Sequence, residues 1–166
     1  MPASGNANIS ELGYEPVFTV YDYHDGPRSG VANFHGIPHS YECVFNEKSD
    51  DYSDVFVLIP IGQKDLESAI ENWEIFLRWR KAFDSGQVTL EEHPAMTHDK
   101  NRYLQTKLAI DEAIVSRRKE TISARGEFEV LQEVNRPRDA LSPWMVRWSE
   151  PIGGGPKGTT EGDKKL

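Results

Sequence analysis

The sequence predicts an α+β fold, with an antiparallel sheet packed on two amphipathic helices. Three observations lead there. Short runs rich in β-branched and aromatic residues, separated by turn residues, fill roughly the first third of the chain. The hydrophobic period then changes to that of helices from Leu66 to about Lys119. Two further strand-like runs follow. Strands, then helices, then strands is the order of an α+β fold rather than of alternating β/α units. A small barrel interrupted by a helical insertion, with early and late strands closing around each other, is the alternative arrangement.

The first strand is Pro16–Tyr23, where Phe18 and Val20 alternate with Thr19 and Tyr21. His24-Asp25-Gly26-Pro27-Arg28-Ser29-Gly30 is a turn cluster, because Gly and Pro break regular structure. A second strand, Val31–His35, leads into Gly36-Ile37, a two-residue hairpin loop with Gly first, as a type II′ turn requires. The third strand is Pro38–Asn46, and the continuous apolar run in Tyr52–Ile61 is a fourth, buried strand.

Helical spacing begins with Leu66, Ala69, Ile70, Trp73, Phe76, Leu77 and Phe83, and Gly86 supplies the stop. Asp99 is placed to cap a second helix running to about Lys119, with Leu104, Leu108 and Val115 on its apolar stripe. Glu127–Val134 and Pro143–Ser149 are the late strands. Trp144, Val146 and Trp148 share one face of the latter, which is expected to cover the helices. The organisation read from this is a flexible leader over 1–13, one α+β domain over 14–150, and a disordered Gly-rich tail over 151–166.

The 166 residues carry a formal net charge of −8. Such a balance repels phosphate backbones and sets nucleic acid aside as a partner. Only Arg78, Arg80, Lys81 and Arg117, Arg118, Lys119 form basic clusters, and both are read as solvated helix faces. A single cysteine, Cys43, rules out an internal disulfide. No run approaches the roughly 18 apolar residues of a membrane helix. Residues 1–13 lack the basic start and apolar centre of a signal peptide. Together these point to the cytoplasm and to no membrane partner.

No nucleophile elbow, Walker loop or dinucleotide loop occurs. The hairpin register sorts the early strands into two faces. Ala32, Phe34, His39, Tyr41, Cys43 and Phe45 form the core face, and Cys43 is there a buried thiol. Val31, Asn33, His35, Ser40 and Glu42 form a polar face. His35 with Glu42 or Asp22 is the candidate acid–base pair of a small hydrolase or lyase. His35 and His39 fall on opposite faces in this register, so no metal site or cofactor is expected. The binding candidates are Tyr23, His24, Asp25 and Arg28 of the first turn, residue types that carry interface energy. Trp79 joins them, because it lies nearly opposite Leu77 on the helix. An acidic body, no catalytic signature and an aromatic turn favour a non-enzymatic protein-binding module. An acidic inhibitor or immunity-type partner of a basic protein fits best.

Overall fold

The computed structural model describes residues 9–132 and 142–151. The chain forms two compact units, residues 1–60 with 120–166, and residues 61–119. The span 14–150, read as one domain, is thus divided between the two units. The disordered tail expected from 151, and the start of the leader, lie almost wholly outside the described residues. The leader's end does not: a 3₁₀ turn at Ile9–Leu12 precedes a buried Tyr14.

The first unit is a closed antiparallel barrel of six strands. They are β1 (Glu15–Tyr23), β2 (Pro27–Phe34), β3 (Ile37–Asn46), β4 (Asp51–Pro60), β5 (Ile122–Val130) and β6 (Trp144–Ser149). Each strand pairs with the next, and β6 returns to β1 through Glu15↔Val146 and Pro16↔Met145. The sheet therefore closes on itself, as the alternative arrangement requires. The late strand β6 sits between β5 and β1 rather than forming a cover for helices. Its face assignment holds: Val146 is fully buried inside the barrel, with Trp144 and Trp148 packed beside it.

The β2–β3 loop is His35-Gly36, one residue earlier than read. Both residues have positive φ, 54° and 77°, which is the type I′ pattern rather than type II′. The Glu15 carboxylate accepts from both backbone N–H groups, at 3.0 and 2.8 Å, and holds the turn. Ala32 consequently faces His39, and Gly30 faces Tyr41. Sliding a two-residue loop by one position moves each partner by two, so the face of every side chain is preserved. Ala32, His39, Tyr41 and Cys43 are buried as expected. Phe45 is not, because a register shift between Cys43 and Phe45 turns the end of β3 outward.

Tyr41 links three strands. Its hydroxyl donates to the Thr19 carbonyl at 2.9 Å, and the Thr19 Oγ1 accepts from the Val31 N–H at 2.9 Å. Gly30 makes this possible. A Cβ there would collide with the Thr19 carbonyl oxygen and lie 2.8 Å from the Tyr41 hydroxyl.

The second unit is a helical hairpin, α1 (Gln63–Asp84) and α2 (Lys100–Ser116), inserted in the sequence between β4 and β5. The Gly62 N–H donates to the Asp65 carboxylate at the start of α1. The buried line of α1 is Leu66, Ala69, Asn72, Ile75, Trp79 and Ala82, rotated about one residue from the expected stripe. Asn72 reaches across to α2, donating to the Tyr103 carbonyl and the Thr106 hydroxyl, both at 3.1 Å. That polar bridge turns Thr106 and Ile110 inward and leaves Leu104, Leu108 and Val115 exposed. The expected α2 stripe therefore faces solvent. Asp99 precedes α2 without capping it; its carboxylate instead accepts two hydrogen bonds from Arg78. No described helix is long and apolar enough to cross a membrane.

Burial pushes the Tyr41 phenol well above the ordinary tyrosine range. The folded barrel thus keeps a proton that the unfolded chain releases above pH ~10. Stability from this group is intact below that pH and is lost as pH rises through it. Tyr41→Phe is expected to cost about 1 to 3 kcal/mol at pH 7, through the bond to Thr19. The cost should shrink as the pH passes ~10, where only the wild type carries the phenol penalty. Urea unfolding of both proteins at pH 7 and at alkaline pH checks this, and a cost that stays constant with pH contradicts it.

Candidate functional site at the barrel mouth

Strand direction sorts the chain ends of the barrel. The β1–β2 turn, the β3–β4 turn and the β5–β6 connection share one end. The β2–β3 turn and the connection carrying the helical insertion share the other. At the first end the interior opens into a cavity of about 440 Å³. Its walls are the β1–β2 turn from Tyr23 to Arg28, the start of β4 with Tyr52, Asp54 and Phe56, then Gly126 and Phe128 of β5, and Trp144 of β6. The volume suits a small ligand or one inserted side chain.

The floor follows from the aromatic packing below it. Phe56, Phe128 and Trp148 lie with ring centroids 5.4 to 5.9 Å apart. They close over Gly126, where a Cβ would lie 2.8 Å from Trp148 and 3.1 Å from both phenylalanines. Trp144 continues the wall upward, 6.0 Å from the exposed ring of Tyr23.

Arg28 is the cation of the cavity. The turn backbone, with φ of 56° at Asp25 and 128° at Gly26, brings β2 back beneath the His24 carbonyl. Arg28 Nε donates to that carbonyl at 2.6 Å. Its guanidinium lies over the Tyr52 ring, 4.7 Å from the centroid, and Nη1 donates weakly to Cys43 Sγ at 3.6 Å. The His24 ring packs on Tyr52 at 5.5 Å. Asp54, at the cavity edge, is taken by Arg125 of β5.

Four of the five binding candidates are thus together: Tyr23, Asp25 and Arg28 line the cavity, and His24 stacks against its wall. Trp79 is elsewhere. It is buried in the helical unit, stacked on Phe83 at 5.0 Å and edge-on to His93 at 4.7 Å, so it offers no exposed contact. The turn's spacing was visible in the sequence; the contributions of Tyr52, Phe128 and Trp144 were not, because they arrive through barrel closure.

The acid–base candidates do not meet. His35 sits in the β2–β3 turn at the far end, exposed and packed on Phe34. Glu42 pairs with Ser29, which in turn pairs with Asp22. The five residue steps from Ile37 to Glu42 separate the turn from that row by roughly 16 Å of strand. Asp22 and Glu42 are two strands apart, or about 10 Å. Among the described residues no three His, Cys, Asp or Glu side chains converge as metal ligands.

Cys43 is buried, and burial pushes its thiol up, with the Arg28 guanidinium pulling partly the other way. Its Sγ donates to the Ser53 carbonyl at 3.1 Å. A thiol held in this state is a weak nucleophile. Reaction of native protein with a disulfide reagent at pH 8 is expected to be at least roughly tenfold slower than that of the urea-unfolded chain. Equal rates in the two states would show that the thiol is accessible and ionised.

No family model, curated protein or solved structure matches this chain, so the geometry of the mouth carries the functional argument by itself.

Proposed function

We propose that the chain is a non-enzymatic protein-binding module whose recognition surface is the open mouth of the barrel. The observation that carries this reading is the convergence of Tyr23, Arg28, Tyr52 and Trp144 on one concave surface. Large, stiff aromatic side chains and a pre-oriented arginine supply binding energy at little entropic cost. The separation of His35 from Glu42 and Asp22 favours binding over acid–base chemistry at the polar strand face.

The partner fits as a basic protein, in the manner of an inhibitor or immunity-type pair. The support is electrostatic. Asp22, Asp25, Asp50 and Asp51 are exposed at the same end of the barrel as the cavity, on a chain of net charge −8. Acidic residues around a binding surface speed association with a cationic partner and make the rate depend on salt.

The test is capture at low salt, with the immobilised full chain, from a lysate of the source organism. A basic protein recovered in stoichiometric yield is expected. Tyr23→Ala combined with Asp25→Ala should lower its recovery at least roughly tenfold, while His35→Ala leaves it unchanged. Association of the purified pair should slow as salt is raised. Equal recovery by the mouth variant, or an association rate indifferent to salt, overturns the reading.

A further inference from the structure

Five arginines whose contacts are described are each held by a carboxylate: Arg78 by Asp99, Arg80 by Asp84, Arg102 by Glu71, Arg125 by Asp54 and Arg147 by Glu127. Arg28 is not. In a chain with 27 acidic residues, this half-buried guanidinium contacts a backbone carbonyl, a thiol and an aromatic ring, and makes no ion pair among the described residues. Partial desolvation makes the charge of such a guanidinium more responsive to an anion that reaches it.

The geometry of its donors says what is missing. A guanidinium has five N–H groups. Nε–H is spent on the His24 carbonyl, and one Nη1–H points at the Cys43 sulfur. The other Nη1–H and both Nη2–H groups have no partner among the described residues. Three donors therefore remain, enough to meet both oxygens of a carboxylate. Tyr52 beneath the ring plane and the His24 carbonyl behind it keep the group from turning away.

The surroundings narrow the class further. Beyond Arg28 the cavity wall mixes Ser53 and the two tyrosines with the rings of Phe56, Phe128 and Trp144, on which an aromatic ligand body can pack. Asp25 and Asp54 stand at its edge, and they disfavour a group of higher charge such as a phosphate dianion. We propose that the barrel mouth binds a single carboxylate carried on an apolar or aromatic body, with Arg28 as its anchor. This rests on the reading of the mouth as a recognition surface and specifies what enters it. Two sources share the chemistry: the C-terminal residue of a partner protein, and a free aromatic acid.

The experiment titrates the ¹⁵N-labelled full chain with N-acetylphenylalanine, N-acetylphenylalanine amide and 3-phenylpropionate, following the Arg28 Nε–H and Trp144 indole N–H resonances. N-acetylphenylalanine is expected to shift both, with an affinity at least roughly tenfold above that of its amide, since only the acid completes the charge-assisted fork. In Arg28→Gln the acid should fall to the level of the amide, and the affinity of the amide should stay as it was. Arg28→Lys, which keeps the charge without the fork, should lie between. Phenylpropionate matching N-acetylphenylalanine assigns the site to a free acid; tenfold weaker binding assigns it to a chain terminus.

Acid and amide binding the wild type equally overturns the carboxylate while leaving an apolar recognition site. If none of the three probes moves the mouth resonances, the carboxylate site is overturned, while the reading of the mouth as a protein-binding surface is decided by the capture experiment. The comparison of acid with amide on the wild type decides the matter even where a variant fails to fold.

Discussion

Six strands closed into a ring enclose less space than the eight whose side chains just fill a small barrel. Every large residue inside must therefore be matched by a small one. Tyr41 and Phe56, with the partly buried Phe128 and Trp148, occupy the interior. Ala32, Ala124, Gly30 and Gly126 lie where a further side chain would have to go. Closure itself rests on few backbone pairs, since β1 meets β6 only at Glu15↔Val146 and Pro16↔Met145. The aromatic packing inside the ring thus carries more of the closure than the β1–β6 ladder does. The cavity at the mouth is where that packing ends. Below it Gly126 lets three rings meet, and above it Tyr23 and Trp144 diverge toward solvent.

Buried polar groups tie this packing to the site. Register shifts along β1 turn Thr19 into a buried residue, and its backbone and hydroxyl are met by Tyr41 and Val31. The next turn of the same hairpin places Arg28 against Cys43 of β3 and Tyr52 of β4. One hairpin therefore supplies both the polar cross-link in the core and the guanidinium at the mouth. Tyr41 pairs with Gly30, so the Thr19–Tyr41 link meets β2 two residues from Arg28.

Local patterns made most of the strands legible in the sequence. Alternation located β1 to β4 and β6 to within about a turn, and the face assignment of Ala32, His39, Tyr41 and Cys43 survived a misplaced loop because of its parity. β5 was read five residues late, since Ile122-Ser123-Ala124 is small and follows a charged run. Ring closure was open only as an alternative, because the pairing of Pro16 with Met145 joins residues with no local signal between them. On the helices, apolar periodicity pointed to Leu104, Leu108 and Val115, yet Asn72 and Thr106 decide which face of α2 is buried. A hydrogen bond between two polar side chains outweighs a stripe of leucines here, and no hydrophobic pattern contains it. Trp79 was misplaced for the same reason: the rotated buried line of α1 brings it inward.

The turn His24 to Arg28 could be explained by backbone geometry alone, since Asp-Gly and Pro are turn residues. It could also be explained as a contact surface, from its Tyr, His and Arg. The structure makes the two compatible. Positive φ at Asp25 and Gly26 makes the turn tight enough for the His24 carbonyl to receive Arg28 Nε. That bond aims the remaining donors of the guanidinium along the cavity wall, across the face of Tyr52. A longer or looser turn would keep the strands paired and lose the aim. Turn geometry and the aim of the guanidinium are therefore one requirement on the same five residues, and the histidine-bearing turn at the opposite end shows the contrast. There Glu15 spends its carboxylate on the backbone N–H groups of His35 and Gly36, and the His35 ring is left exposed against Phe34.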